Sequence, residues 1–362
     1  MQYLKNFYSQ LEQYREKWWP SPIRMPVALY DDESIYLYNH PKWPNEQSYI
    51  QLPSKEPWFG AETVTEFYGE STAIIYLPHH SSTASIFATA MHEMFHGLQL
   101  ENGKKRWPDE MHGIRYPILA ENIALRELER SHLQQAVYAT DDNARFHAVQ
   151  QFIHYREQRK QVIGDFLDYE TAVETIEGPA FYIEYYAYSF LSGLSLDDVL
   201  LTYSERFNDL MATNINLRKS NYTSGLFIAL LLDHYETNWK NNYFKQESTL
   251  YEQLKATLPF STHFTTEVQV TKQINNLVQD LQNKKNEFFE QFHKQPGQCI
   301  EWMGPIQLKG FDPMNIVQRN QQQLHKHFAM VACQNQSIPL HLPVLIHWDS
   351  KGHHIESLTF YT

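Results

Sequence analysis

The stretch TAIIYLPHHSSTASIFATAMHEMFHGLQLENGK, residues 72 to 104, decides the fold expected for this chain. Its first part, AIIYLP, is a short apolar run of the kind that forms a buried strand. Serines and a threonine at 81–83 can then cap a helix, whose apolar positions are Ile86, Phe87, Ala90, Met94 and Phe95. A glycine at 103 suits the left-handed conformation in which helices often end. The stretch therefore predicts a strand that leads directly into a helix.

Two histidines and a glutamate lie inside this predicted helix, as His92-Glu93-Met94-Phe95-His96. Residues four apart lie one above the other on a helix, so His92 and His96 can aim both imidazoles at a single Zn²⁺ ion. Glu93 would then point beside the ion, where it can take a proton from a water molecule. The chain holds 18 histidines, so a polar coincidence is the competing interpretation. A zinc site needs a third protein ligand further along the chain.

Two downstream glutamates are candidates for this third ligand. Glu121, in LAENIALRELE, lies 25 residues after His96, and Glu177, in VETIEGPAFYIEYY, lies 81 residues after it. Both segments are helical in pattern, so each could present a carboxylate to the two histidines. The residues alone leave both candidates open.

The surroundings of Glu177 resemble a known motif. Glu177-Gly178-Pro179-Ala180-Phe181-Tyr182-Ile183-Glu184 looks like the EGxAxYxE helix of the gluzincin metallopeptidases. Further along, Tyr222-Thr223-Ser224-Gly225 is similar to the YxxG segment that opens a helix in those enzymes. The order HExxH, EGxAxY and YxxG is also the order of that family, which includes the aminopeptidases and their leukotriene-hydrolase relatives.

The resemblance implies a zincin-like fold and a site for one Zn²⁺ ion per chain. It implies that His92, His96 and Glu177 bind the metal, that Glu93 acts as general base, and that Tyr222 stabilises the oxyanion. Three departures qualify it. The spacing from His96 to Glu177 is much longer than usual, no segment resembles the GxMEN motif of the aminopeptidases, and Pro179 would strain the interior of a helix unless the helix begins or bends at Gly178.

Other polar residues are candidates for the surroundings of the metal. Glu170, Glu174 and Glu184 share one helical stripe with Glu177. Glu174 or Glu170 could accept the free N–H of a ligand imidazole and fix its orientation, and a charged face in water is the alternative. Glu184 matches the second glutamate of the family helix, where a contact with the substrate's amino end is implied.

Two further side chains are assigned to the pocket with a structural alternative beside each. Tyr182 belongs to an aromatic run that is also typical of a core. Gln99 lies three residues after His96, on the ligand face of the helix, although a surface amide would show the same spacing. Glu121, if it is not a ligand, is a pocket carboxylate or a solvated helix residue.

Composition narrows the class of protein. With 362 residues, 42% of them hydrophobic, the chain can bury a sizeable core. A net charge of -12 without a run of lysines or arginines argues against nucleic acid or an anionic membrane as partner. No segment is apolar for long enough to cross a bilayer, and the opening residues lack a signal-peptide pattern. Two cysteines are too few for a disulfide framework, so a cytoplasmic protein is expected.

The pattern along the chain predicts an α+β protein. A zincin-like domain is expected over 1–294, strand-rich at 24–78 and helical at 83–294, followed by a β-rich subdomain at 295–362 after the break Gln295-Pro296-Gly297. Helices are predicted over 3–19, 83–100, 117–138, 143–160, 162–190, 196–212, 222–238 and 265–293. Strands are predicted in 24–32, 33–40, 48–53, 69–78, 298–310, 325–333, 342–348 and 354–361.

The function expected is zinc-dependent hydrolysis of peptide bonds in a peptide or small protein substrate. The strand at 69–78 is the candidate for pairing with an extended peptide. Hydrolysis of a non-peptide amide or ester, or of an epoxide as in some relatives of the family, would use the same residues. A non-catalytic protein that binds metal or peptide is the third possibility, although it would need neither Glu93 nor Tyr222.

Overall fold

A computed structural model describes residues 2–14, 16–44, 49–56, 58, 60–103, 107–259, 268–333 and 336–362. Its helices are α1 Gln2–Tyr14, α2 Thr83–Glu101, α3 Glu110–Ile114, α4 Ala120–Tyr138, α5 Asp142–Ile163, α6 Phe166–Ser192, α7 Leu196–Ser204, α8 Leu210–Ile215, α9 Leu217–Tyr235, α10 Trp239–Asn242, α11 Leu250–Ala256 and α12 Lys272–His293. Its strands are β1 Val27–Tyr30, β2 Ser34–Tyr38, β3 Ile50–Pro53, β4 Thr63–Phe67, β5 Glu70–Tyr76, β6 Cys299–Phe311, β7 Ile316–Arg319, β8 Gln322–His325, β9 Ala329–Cys333, β10 Gln336–Leu340, β11 Val344–Trp348 and β12 Ile355–Tyr361. The predicted α+β composition, with an N-terminal and a C-terminal sheet, is confirmed.

The N-terminal sheet has five strands in the order β3-β2-β1-β5-β4. Strands β1 and β5 run parallel, and the other neighbours are antiparallel. All four residues of β1 are buried, as expected for a strand covered on both faces. Because β5 is hydrogen-bonded to β1 on one side and to β4 on the other, the prediction that residues 69–78 pair with a peptide is wrong. The edge of the sheet on this side is β4, whose short and only partly buried sequence TVTEF carries a weak strand pattern.

Helix α2 follows β5 after a short 3₁₀ turn at Leu77–His79. The side chain of Ser82 accepts a hydrogen bond from the backbone N–H of Ser85, which caps the helix as predicted. One face of α2 packs on the sheet, and another packs on α6 in the main hydrophobic core. The helix is therefore held between sheet and helical body, and its buried histidines face α6.

Helix α6 runs without interruption through Pro179, so it does not begin at Gly178. A proline has no N–H, and this one leaves the carbonyl of Thr175, four residues earlier, without its helical donor. The hydroxyl of Tyr243 donates a hydrogen bond of 2.7 Å to that carbonyl oxygen. Substitution of a side-chain donor for the missing N–H explains how a proline is accommodated here.

The predicted helix over 196–212 is two helices, α7 and α8, because the side chain of Asp209 accepts from the N–H of Ala212 and starts a new one. Helix α9 begins at Leu217 rather than at 222, so Tyr222 lies in its second turn and does not open it. The polar residues at its start hide the helical periodicity, since several of them are buried against α4 by hydrogen bonds rather than by apolar contact.

The C-terminal sheet has seven antiparallel strands in the order β10-β9-β6-β12-β11-β8-β7. It has a small core of its own, built around Val331, Ile346 and Leu358. Phe289 and Phe292 of α12 pack against Leu324 and Leu345 of the sheet, which fastens it to the helical body. Within the residues that the structure describes, no helix is both long and apolar enough to cross a bilayer.

Candidate metal centre

Three side chains from two helices meet in the interior. His92 and His96 lie one turn apart on α2, and Glu177 projects from α6. The Nε2 atoms of the two histidines are 3.0 Å apart. Oε2 of Glu177 lies 3.1 Å from Nε2 of His96 and 3.4 Å from Nε2 of His92. Among the described residues, this is the one group of histidine, cysteine and acidic side chains arranged as metal ligands.

The orientation of His96 is fixed by a chain of hydrogen bonds. Gln99, fully buried, donates from Nε2 to the carbonyl of Ile176 at 2.7 Å. A carbonyl only accepts, so the amide oxygen of Gln99 must face the other way, and it lies 2.7 Å from Nδ1 of His96. Nδ1 therefore carries a proton, and Nε2 is the nitrogen that faces Glu177 and His92 and can give its lone pair to a metal when the imidazole is neutral.

Glu184 stands in the same relation to His92. Its Oε2 lies 2.8 Å from Nδ1 of His92, although the contact is bent away from the N–H direction. Tyr203 holds the other carboxylate oxygen of Glu184 with a hydrogen bond of 2.9 Å. The carboxylate favours a proton on Nδ1, which leaves Nε2 of His92 as a second lone pair pointing into the centre.

The carboxylate of Glu177 is shared between the centre and an arginine. Nη2 of Arg218 lies 2.8 Å from Oε1 of Glu177, while Nε of Arg218 donates to Glu110 at 2.9 Å. The arginine thus occupies one oxygen of Glu177 and leaves Oε2 directed at the histidines. Glu177 is consequently prepared to bind an ion through a single oxygen.

This donor set fits a divalent metal. Two imidazole nitrogens and one carboxylate oxygen converge on one point, and when both imidazoles are neutral only a cation at that point can offset the repulsion between their lone pairs and the carboxylate. Zinc–ligand bonds of about 2.0–2.1 Å in a tetrahedron place neighbouring ligand atoms about 3.3–3.4 Å apart. The observed separations of 3.0 to 3.4 Å agree with that geometry. The cluster can therefore hold a metal ion without rearrangement of its backbone.

The electrostatic field of the centre also favours positive charge. Burial lowers the pKa of His92 and of His96, but the nearby carboxylates outweigh burial and raise both pKa values above the usual range. Burial raises the pKa of Glu177, but His96, His92 and Arg218 outweigh it and hold that pKa well below the usual value. The carboxylates that favour a proton on these imidazoles would equally favour a metal ion in its place.

Two glycines allow α6 to approach α9 closely enough to build this site. A Cβ atom added to Gly178 would lie 2.7 Å from the Cα of Gly225, and one added to Gly225 would lie 2.6 Å from the Cα of Gly178. The two helices therefore touch backbone to backbone at this point, which no other residue pair permits. The contact brings Glu177 of α6 beside Arg218 and Tyr222 of α9.

Glu93 and Tyr222 flank the ligands. Glu93 is partly exposed, and burial together with Glu177 and Glu62 raises its pKa, although both ligand histidines lower it. The ring of Tyr222 stacks near that of His92, with centroids 6.1 Å apart, and its hydroxyl accepts a hydrogen bond from Nη1 of Arg218. Burial and Glu177 raise the pKa of Tyr222 well above its usual value, so its hydroxyl remains protonated.

Two predicted partners of the ligand histidines lie elsewhere. Glu174 is paired with Arg156 through two contacts of 2.6 Å, and Glu170 is paired with Arg159. Both carboxylates are buried, so neither orients a ligand imidazole and neither belongs to a solvated face. The prediction failed because helical spacing places the four glutamates on one stripe without showing that α6 crosses α5 before it reaches α2.

Two other candidates lie away from the ligands. Glu121 is exposed in the first turn of α4 and is not part of the ligand cluster. Tyr182 donates a hydrogen bond of 2.6 Å to Asp233 and packs against Trp239 in the main core, so it does not line the site. Gln99 and Glu184, by contrast, contact the ligand histidines directly.

Arg218 and Glu110 were not among the residues predicted from the sequence. A signal was available for the arginine, because it lies four residues before Tyr222 and hence on the same face of α9. Glu110 begins α3, behind the cap Asp109, and nothing in its local sequence links it to Arg218, 108 residues further along the chain.

Comparisons of the chain with models of protein families, with curated proteins and with solved structures found no match. The class of protein therefore follows from the structure alone, which is an α+β protein with a buried His92–His96–Glu177 cluster that could hold a metal ion.

Proposed function

We propose that this protein is a zinc metallopeptidase of gluzincin type, in which His92, His96 and Glu177 bind one Zn²⁺ ion. The convergence of two oriented imidazole nitrogens and one carboxylate oxygen supports this assignment most directly. Three protein ligands of this kind are the set that catalytic zinc sites use, since a fourth position must stay open for water or substrate.

A zinc ion bound there would polarise a substrate carbonyl and bring the pKa of water close to about 7. The chain's own residues perform the remaining tasks. Gln99 and Glu184 favour a proton on Nδ1 of the two imidazoles. Both Nε2 atoms are then the nitrogens that can bind a metal through their lone pairs. Arg218 holds Glu177 in place through Oε1.

Glu93 is the proton carrier in this mechanism. Its position one residue after His92 directs it beside the ligands rather than at them, and its raised pKa makes it a better base than an ordinary glutamate. It takes a proton from the attacking water and passes it to the nitrogen of the departing amine. Electrons of the C–N bond leave with that nitrogen.

Tyr222 stabilises the oxyanion that develops on the carbonyl oxygen. Its hydroxyl accepts from Arg218 and is hydrogen-bonded to Glu177, so it must exchange the Glu177 contact for one to the substrate oxygen. The raised pKa keeps that proton in place at neutral pH. Arg218 acts as a positioning residue because it touches both Tyr222 and Glu177.

The exposed edge of β4 is the surface on which an extended peptide can pair. Strand β4 begins at Thr63, directly after Glu62, and Glu62 is near enough to Glu93 to raise its pKa. Backbone hydrogen bonds to this edge would hold a substrate beside Glu93 without a strict sequence requirement. The substrate class proposed is accordingly a peptide or an extended segment of a small protein.

Substitution of Glu93 tests this function. In Glu93→Gln, the zinc content should equal that of the wild type while hydrolysis of quenched fluorescent peptides falls by about 10²–10⁴-fold, because the amide cannot accept the proton. Glu101→Gln, an exposed change at the end of the same helix, is the matched control and should hydrolyse at the wild-type rate. Wild-type turnover by Glu93→Gln, or a chelator-insensitive activity, would refute the mechanism.

A further inference from the structure

Two adjoining cavities open along α12, between the helical body and the C-terminal sheet. The first, of about 380 Å³, lies where the start of α9 faces α12 and β7. The second, of about 630 Å³, lies between α12 and the turn after β11. Lys285 of α12 and residues 116–118 line both, so they form one continuous groove, termed here the α12 cleft.

The charged side chains of the α12 cleft are mostly positive. They are the cations Arg115, Arg218, Lys219, Lys284, Lys285, Arg319 and Lys351 and the carboxylates Glu287 and Asp349. The whole chain has a net charge of -12, so this concentration of positive charge runs against the composition. Cations gathered in a concave surface attract anionic ligands more strongly than the same charges spread over a convex one.

Several of these cations have no counter-charge. Across the described parts of the chain, no carboxylate forms an ion pair with Lys219, Lys284 or Lys285. Burial lowers the pKa of Lys285, and no neighbouring carboxylate offsets this effect. Asp349, the carboxylate of the second cavity, already accepts the backbone N–H of His353 at 2.7 Å. An anionic ligand would therefore supply a charge that the cleft lacks.

The α12 cleft reaches the metal centre through one side chain. Arg218 lines the first cavity, and its Nη2 lies 2.8 Å from Oε1 of Glu177. A ligand in the cleft would thus lie beside the arginine that holds the proposed metal ligand Glu177. Apolar residues between the cations, among them Ile114, Ile118 and Phe288, provide contacts for the uncharged parts of a chain.

We propose that the α12 cleft binds the carboxylates of an acidic peptide segment, next to the bond that the metal centre cleaves. The link to cleavage rests on the proposed function, whereas the binding itself does not. Peptide carboxylates are favoured over nucleic acid because the overall negative charge repels a long polyanion, while a short segment interacts with the cleft alone.

Binding is measured by fluorescence anisotropy with the full-length protein. The probes are a short labelled peptide with several glutamates, the same peptide with glutamines, and the glutamine peptide with a free or an amidated carboxyl end. We expect the glutamate peptide to bind about tenfold more tightly than the amidated glutamine peptide at low salt, and the difference to shrink as salt is added. If the free carboxyl end alone restores tight binding, the cleft recognises a terminal carboxylate.

The double variant Lys284→Gln/Lys285→Gln locates the site. Loss of two cations should weaken binding of the glutamate peptide by about three- to tenfold and leave the glutamine peptide unchanged. Lys272→Gln/Lys294→Gln is the matched control, since it also removes two positive charges, from exposed positions at the two ends of α12 that line neither cavity. Equal binding of both peptides, equal loss in the control, or tighter binding of an oligonucleotide would overturn the proposal.

Hydrolysis separates the two proposals. If wild-type protein cleaves quenched peptides, the double variant should raise KM for acidic substrates and leave kcat nearly unchanged. If it cleaves neither peptide but still binds the acidic one through Lys284 and Lys285, the proposed function fails and the binding site stands. Cleavage with no preference for acidic residues leaves the function intact and removes the cleft from substrate recognition.

Discussion

Two successive segments of helix α6, residues 166–175 and 176–192, bury glutamates in opposite ways. In the first segment, Glu170 and Glu174 each face an arginine of α5, and Arg156 contacts Glu174 through both oxygens. In the second segment, Glu177 faces the Nε2 atoms of two histidines through one oxygen and an arginine of α9 through the other. The same residue type on one helix is thus paired with arginines, whose charge is permanent, in one place and with histidines, whose charge can change, in the other.

The difference identifies which carboxylates the chain completes by itself. A buried ion pair with good hydrogen bonds is closed, because each charge has its partner and no ligand is needed. A carboxylate that meets imidazole nitrogens is open, because a neutral imidazole offers it only a lone pair and the positive charge between them must come from a proton or a metal ion. Charge complementarity therefore separates the closed segment of α6 from the open segment that can bind a metal, although both are equally buried.

The largest effect is expected when a closed pair is broken. Arg156→Met leaves Glu174 buried without a counter-charge and Glu129 with Arg159 alone, and the free energy of unfolding should fall by about 3–5 kcal/mol. Urea unfolding in the presence of a chelator measures this loss without any metal contribution. Arg24→Met, which removes an exposed arginine paired with Glu16, should change stability by less than about 1 kcal/mol. Equal effects of the two substitutions would contradict a structural role for the buried pair.

A buried histidine of the C-terminal sheet shows a third solution, which is to remain neutral. Burial lowers the pKa of His325 to about 4 from an unfolded value of 6.5. The unfolded chain therefore binds the proton first as pH falls, so the stability that His325 contributes is complete above pH 6.5 and is lost between pH 6.5 and about 4. The loss is about 1.4 kcal/mol per pH unit, and about 3 kcal/mol in total.

Urea unfolding at several pH values between about 7 and 5 checks this expectation. His325→Gln should flatten the pH dependence relative to the wild type. His132 and His154, whose pKa values burial also lowers, keep their contribution in both proteins and cancel from the comparison. An unchanged slope in the variant would show that His325 becomes protonated in the folded state without cost.

The open segment of α6 is tested by replacing Glu177, the proposed metal ligand. With zinc at about a hundredfold excess over its dissociation constant, the wild type should gain about 2.7 kcal/mol of stability over the chelated protein. In Glu177→Gln this gain should disappear, because the amide binds zinc much more weakly than a carboxylate. Glu121→Gln serves as the control and should keep the full gain, since Glu121 is exposed on α4. The opposite pattern would make Glu121 the third ligand.

Local spacing was sufficient to predict one part of this molecule and insufficient for another. The strand, the cap at Ser82 and the helix that carries His92 and His96 follow from residues close in sequence, and they are found as predicted. The pairing of Glu170 and Glu174 with arginines could not be predicted, because it depends on which helix α6 meets at each turn. Strand β4 was missed since its exposed residues carry little hydrophobic signal, and its position as an edge follows from the sheet order alone.

The smallest effect is expected where the two segments of α6 meet, at Thr175 and the proline four residues after it, Pro179. The hydroxyl of Tyr243 donates to the carbonyl of Thr175, which the proline deprives of its helical donor, and accepts from the amide of Gln99. That amide in turn orients His96. Tyr243→Phe should cost about 1–2 kcal/mol, because it leaves one buried carbonyl without a partner.

Zinc affinity separates this structural cost from an effect on the metal centre. Gln99 keeps its hydrogen bond to Ile176 in the variant, so its orientation and that of His96 should persist, and zinc affinity should fall by less than about tenfold. Tyr251→Phe, which removes a hydroxyl bonded to Glu157 rather than to Thr175 or Gln99, is the matched control for loss of a buried tyrosine hydroxyl. A hundredfold loss of zinc affinity in Tyr243→Phe alone would mean that the Tyr243 hydroxyl, rather than the Ile176 carbonyl, sets the direction of Gln99. The closed and open segments of α6 would then be coupled through the hydrogen bond that replaces the missing N–H of Pro179.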